Sequence, residues 1–227
     1  MTDHMTWRIK LRSGNAALPA RVPSEILTGK PRFRNESMPD EIGLLLPTND
    51  GPRHFIDTIA SKPDQFDDAM VGLFMANPFL NIPHESPRLQ KAGIKWITNL
   101  PSVGQQDEDF SLQLSDVGLD HDRELECLAQ FRKTGFKIAA VVTDVIDAKA
   151  AAAIEPDMLI VLPRVAGFAA GFPSSRQRGA AAQAASDAAG QAGWSGLLLG
   201  LGETRELDHE RQWPDTLDGL VCRPVAR

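Results

Sequence analysis

The sequence predicts an α/β fold, a (β/α)8 barrel whose first strand–helix unit is degenerate or missing. Three observations carry this. Seven short apolar runs of 5–7 residues recur along the 227-residue chain, most of them without strict alternation. Such runs suit strands buried on both faces, as in a parallel sheet covered by helices. Helix-forming segments lie between several of the runs, which implies right-handed crossovers. No GxGxxG or Walker-type loop is present, so the usual nucleotide-binding reason for an open doubly wound sheet, the structural alternative, is missing.

The runs are Glu41–Pro47, Met70–Ala76, Ile94–Leu100, Lys137–Val142, Met158–Leu162, Ser195–Leu199 and Leu217–Cys222. Trp7–Leu11 supplies the eighth strand. Helices are predicted over Pro52–Ser61, where Pro in the first turn costs no hydrogen bond, and over Asp120–Thr134, which stops at Gly135. Two Ala-rich helices follow. Asp144 caps one that runs to Ala153, and Ser174 or Ser175 caps one over Arg176–Gln191. Ser13–Asp40 is rich in Pro, Gly and charge and offers no convincing strand. The expectation is one barrel domain over residues 1–227, with 1–40 an irregular N-terminal segment.

Composition narrows the function. A net charge of −6 and a pI near 5.4 argue against nucleic acid as a partner. No apolar run approaches the roughly 18 residues that span a bilayer, and no secretory signal is visible. Cys127 and Cys222 make neither a disulfide framework nor a zinc site, so a cytoplasmic setting is the default. The five histidines form no HxH or HExxH pair. His84 reads as a loop residue near the barrel mouth. His121 at a helix start is unfavourable if charged, because the helix dipole there is positive.

In such a barrel the site gathers at the C-terminal ends of the strands. The residues just past the runs are Thr48, Asn49, Asp50, Asn77, Asn99, Ser102, Thr143, Asp144, Arg164, Gly202, Glu203 and Arg223. Arg164 and Arg223 suit bidentate contact with phosphate or carboxylate. Gly200 and Gly202 either let the backbone approach an anion or simply permit a tight turn. Asp144 is a general base or a helix cap, and Glu203 is the second candidate for proton transfer. Asn99 and Ser102 either orient a substrate or tie down the Pro101 turn, and Asn77 can position but not act as a base. No cofactor motif is present; oxygen ligation of a divalent metal such as Mg²⁺ by Asp50, Asp144 and Glu203 is compatible with the sequence but not demanded by it.

Gly29–Arg227 resembles a family of TIM barrels related to indole-glycerol-phosphate synthase and to phosphoenolpyruvate mutase/aldolase enzymes, described as phosphoenolpyruvate-hydrolase-like. The most specific segment is Asn99-Leu100-Pro101-Ser102-Val103-Gly104, similar to the family's NFPTVG. Asn77-Pro78-Phe79 resembles its DPF turn and Asp116–His121 its ETGMGY element, while Gly29–Phe33 and Gly43–Asp50 look like its SGRYR and GLLPYGD segments. The chain departs in lacking the Gly-rich first strand within Met1–Thr28, in Asn77 replacing an Asp, and in the loops Leu162–Gly167 and Gly200–Glu203.

The resemblance implies an enzyme acting on a small phosphorylated or carboxylated, phosphoenolpyruvate- or phosphonopyruvate-like metabolite, of lyase, aldolase or hydrolase type. Its catalytic residues would be Asp144, Glu203 and Asn99. Asn77, Ser102, Arg164, Gly202 and Arg223 would bind substrate. The alternative is a non-catalytic ligand-binding or signalling barrel that has lost its acid residues. A homo-oligomer, most simply a dimer, is expected.

Overall fold

The computed structural model describes residues 4–13, 22–30, 51–63, 65–66, 68–169 and 171–223. Eight strands close into one barrel in chain order, the last pairing with the first. They are β1 (His4–Leu11), β2 (Glu25–Gly29), β3 (Ala69–Gly72), β4 (Trp96–Thr98), β5 (Lys137–Val142), β6 (Met158–Val161), β7 (Leu197–Gly202) and β8 (Gly219–Cys222). The helices are α1 (Gly51–Ala60), α2 (Ile82–Lys91), α3 (Glu108–Asp116), α4 (His121–Lys133), α5 (Val145–Ala152) and α6 (Ser175–Gln191).

Strands β2 to β8 are parallel, neighbour to neighbour, whereas β1 runs antiparallel to both β2 and β8. The degenerate first unit is therefore a reversed strand. Its composition explains this placement. Met5, Trp7 and Ile9 are buried, while Arg8 and Lys10, which alternate with Trp7 and Ile9, face solvent. That alternation suits an antiparallel strand with one open face. In β5, β6 and β7 both faces are buried apart from the edge residue Lys137, as their unbroken apolar runs predict.

One strand escaped the sequence reading. Glu25–Gly29 lies inside the segment expected to be irregular, and it supplies β2. The expected strand at Glu41–Pro47 falls outside the described residues, and the eight strands that close the barrel all come from elsewhere. The α1, α4, α5 and α6 predictions match within a residue or two. The α2 helix was missed because Pro83 and Pro87 both sit in it; Pro83 is in its first turn, where proline is tolerated, but Pro87 is in its interior. His84 therefore lies on α2 rather than in a loop, exposed and bonded to Glu85 at 2.9 Å.

Two apolar layers follow from strand alternation. Inward side chains, among them Trp7, Ile26, Met70, Trp96, Val141 and Leu199, fill the barrel. Outward ones, such as Leu27, Val71, Ile97 and Ile138, pack under the helices. Between β7 and β8 the described chain forms two 3-10 turns, Thr204–Glu206 and Glu210–Gln212. Arg12, just past β1, fastens this connection by donating to the carbonyls of Pro214 at 2.8 Å, Leu217 at 3.2 Å and Glu210 at 3.4 Å. Among the described residues no helix is long and apolar enough to cross a membrane.

Candidate functional site

The C-terminal ends of β2 to β8 share one rim of the barrel, and the reversed β1 contributes His4 there, opposite Gly29. Past β4 the chain makes a tight turn. The Ser102 side chain caps the 3-10 turn Val103–Gln105, and Gln105 reaches back to the Ser102 N–H at 3.2 Å. Beneath this turn lies Glu124, fully buried on α4. Its carboxylate collects four donors. Oε2 accepts from Ser102 Oγ at 2.6 Å, Asn99 Nδ2 at 3.1 Å and His121 Nδ1 at 3.2 Å, and Oε1 accepts from the Val103 N–H at 3.0 Å. The Asn99 Oδ1 accepts from the Val141 N–H at 2.8 Å, so this side chain ties β4 to β5.

His121 stands between two carboxylates. Its Nδ1 meets Glu124, and its Nε2 lies 3.9 Å from Asp147 Oδ1, buried and without a hydrogen bond. Burial is the largest single influence on its pKa and lowers it. The hydrogen bond to Glu124 and the charges of Glu124, Asp147 and Asp122 together outweigh burial and hold the pKa above the usual imidazole value. The objection to a charged histidine at a helix start thus fails here, because local carboxylates exceed the dipole. Asp147 is held in turn by the Thr143 N–H at 3.0 Å and hydroxyl at 2.6 Å.

Asp144 occupies the cap of α5, accepting from the N–H groups of Ile146 at 2.9 Å and Asp147 at 3.0 Å. Its other oxygen accepts from Arg164 at 2.8 Å. Burial raises its pKa, but the two backbone bonds and Arg164 prevail and bring it below the ordinary carboxylate value. Asp144 is therefore a cap and an ion-pair partner, and a weak base at neutral pH. Glu108, the first residue of α3, approaches Arg164 at 3.9 Å.

Arg164 begins the 3-10 turn Val165–Phe168, and Arg223 stacks on the ring of Phe168 with its guanidinium carbon 5.0 Å from the centroid. Both predicted anion-binding arginines thus flank one turn, and Phe168 packs onto the inner apolar layer.

The other predicted residues do different work. Asn77 accepts from the Phe79 N–H at 2.9 Å and closes its own turn. Glu203 pairs with Arg205 at 2.9 Å, and its N–H donates to Glu206 at 2.8 Å. Gly200 and Gly202 point away from the mouth, because alternation puts Leu199 and Leu201 on the inner face. A Cβ at Gly200 would lie 2.7 Å from Leu217 and one at Gly202 2.7 Å from Leu220, so these glycines admit leucines, not an anion. Thr48, Asn49 and Asp50 lie outside the described residues. Among the described residues no group of three His, Cys, Asp or Glu side chains can hold a metal.

Sequence reasoning missed Glu124 and Asp147. For Glu124 a signal existed: with Leu128 and Phe131 it shares the buried helical stripe of α4, and a carboxylate on such a stripe demands partners.

No curated protein matches the chain. The family model for phosphoenolpyruvate hydrolase-like proteins matches residues 32–186, which include the Asn99–Gly104 turn, the Glu124–His121–Asp147 cluster and Arg164. Together with the closed eight-stranded barrel, this match makes the chain a member of the phosphoenolpyruvate hydrolase-like family of TIM barrels.

Proposed function

We propose that the protein is an enzyme that acts on a small phosphorylated or carboxylated metabolite at this rim, by a lyase- or hydrolase-type reaction. The observation that carries the reading is the pair Arg164 and Arg223 at the two ends of one turn over the barrel. Guanidiniums pair readily with the oxygens of phosphate or carboxylate. Asp144 orients Arg164 from the side. His121 is the candidate for proton transfer, because its Nδ1 is anchored on Glu124 while its Nε2 is left without a hydrogen bond. Glu203, past β7, is the second carboxylate of the mouth.

The test is release of pyruvate or inorganic phosphate from phosphoenolpyruvate and phosphonopyruvate. It is run on the wild type, Arg164→Ala, Arg223→Ala and His121→Gln, alongside thermal-shift measurements with phosphate and pyruvate. The reading expects protection by these anions that both arginine substitutions weaken, and turnover that His121→Gln lowers by about 10²-fold or more. No protection and no turnover would refute it. Asn77, where a carboxylate is replaced by an amide that closes its own turn, favours a second reading, a ligand-binding barrel without catalysis. Protection without turnover would select that reading.

A further inference from the structure

We infer that the C-terminal rim over β3 to β6 is a docking surface for a basic amphipathic helix of a partner protein. Among the described residues six large apolar side chains are exposed: Phe79, Leu112, Val117, Val145, Ile146 and Phe172. All six lie in the segments that follow β3, β4, β5 and β6, which are neighbouring strands. None lies at the opposite rim. Exposed apolar side chains scattered singly are ordinary, whereas their gathering on one sector of one face marks an interaction site.

Helix α3 is the centre of this sector. None of its nine residues is buried. Phe110 and Leu114 hold it down by packing on Phe74, Ala76 and Val103 at the ends of β3 and β4. Leu112, midway between them in sequence, falls on the opposite side of the helix and is 64% exposed. A helix this short is marginal by itself, so a partner that covers the outer side adds to a weak hold. Arg164 ties α3 to α5: it donates to Asp144 at 2.8 Å and lies 3.9 Å from Glu108. The first turns of the two helices thus meet at one guanidinium. Leu112 stands one turn beyond Glu108, and Ile146, 75% exposed, lies in the first turn of α5.

Charge identifies the occupant. From Asp107 to Asp122 the chain carries Asp107, Glu108, Asp109, Asp116, Asp120 and Asp122, and no Lys or Arg. Leu112 is encircled on the helix surface by Glu108, Asp109, Ser115 and Asp116, all exposed. Alongside, Arg164 is engaged by Asp144 and Glu108, Arg123 by Glu126 at 3.6 Å, and Lys149 stands a turn beyond Ile146. The surface is therefore apolar knobs in an acidic field. Nucleic acid and anionic lipid are repelled by it. Two copies of the chain joined on this face across a two-fold axis would set the same carboxylates against one another. A basic partner is attracted. The barrel is closed and offers no free strand edge here, so an extended segment gains no ladder of hydrogen bonds. A helix with an apolar stripe between Lys or Arg residues meets both the knobs and the charge.

The probe is a fluorescein-labelled synthetic peptide of about 15 residues, with Leu in one helical stripe and Lys and Ala elsewhere. The controls are the same composition in an order without the stripe, and the striped peptide with Glu for Lys. Fluorescence anisotropy with the full chain measures binding. The striped Leu/Lys peptide should bind at least about tenfold more tightly than either control, and Leu112→Ser, Ile146→Ser and Asp116→Lys should each weaken it about tenfold. All three positions are exposed, so melting within about 2 °C of wild type is expected, and Lys at the C-terminal end of α3 suits the helix dipole. Equal binding by wild type and Leu112→Ser, or of striped and unstriped peptides, is bulk charge attraction and overturns the inference, as does no binding. Self-association of the wild type that Leu112→Ser abolishes assigns the face to a second copy. Adsorption to phosphatidylcholine vesicles that the same substitution abolishes assigns it to a membrane. Either result overturns the inference.

Discussion

Glu124→Gln puts the largest buried polar network of the rim to the test. Glutamine matches glutamate in shape but replaces one acceptor with a donor. If the new NH2 takes the Oε1 place it faces the Val103 N–H; in the Oε2 place it faces Asn99 Nδ2 and His121 Nδ1. Either way a buried donor loses its acceptor, and the ion pair with His121 is gone. Breaking a buried pair in this way costs about 3–5 kcal/mol. For a chain of this size that is a fall in Tm of roughly 6–20 °C. Urea denaturation at pH 6 and at pH 9 measures it. The sign with pH follows from His121. Its folded pKa is raised, so its contribution is fully present below the unfolded value of about 6.5 and is lost as pH rises through the folded value. The gap between wild type and Glu124→Gln should therefore be wider at pH 6. A variant within about 1 kcal/mol of wild type at both pH values would refute the reasoning.

Asp144→Ala removes the α5 cap and should cost about 1 kcal/mol by urea denaturation at neutral pH. Because the Asp144 pKa is lowered, this difference is present above an unfolded value of about 3.9 and should vanish as pH falls through the folded value. Arg12→Ala strips the β7–β8 connection of three carbonyl contacts and a cation–π contact with Trp213. A loss of about 2–4 kcal/mol is expected, with activity at the opposite rim retained in the folded fraction. Both cysteines are free and buried, and burial above all pushes the Cys222 thiol up to about 11. Thiol titration at pH 8 should thus find neither cysteine reactive in native protein and both reactive in denaturant.

The barrel was legible from β3 to β8 because strands buried on both faces are written as unbroken apolar runs. Lys137–Val142 matches β5 residue for residue. The reversal of β1 was not legible, although its alternating pattern differs from the other runs, because strand direction depends on partners the local sequence does not encode. Glu25–Gly29 does not stand out because only Ile26 and Leu27 in it are apolar and proline and charge flank it closely. At the site, the positions just past strand ends follow from the barrel rule; Arg164 leads into the Val165–Phe168 turn and Arg223 stacks on Phe168 at its end. What each polar group does was harder to read. Asn99 and Ser102 look alike as ligands or as braces until Glu124, 25 and 22 residues away, comes to lie against them. Gly202 faces leucine because one residue of strand phase decides between mouth and outer layer.

A crystal structure of the protein soaked with phosphoenolpyruvate or inorganic phosphate tests the proposed site most directly. The account predicts the anion at the C-terminal rim, with oxygens in hydrogen-bond contact with the Arg164 and Arg223 guanidiniums near the Val165–Phe168 turn. An anion bound at the opposite rim, or a saturating soak that leaves both arginines in contact with protein groups alone, would contradict it.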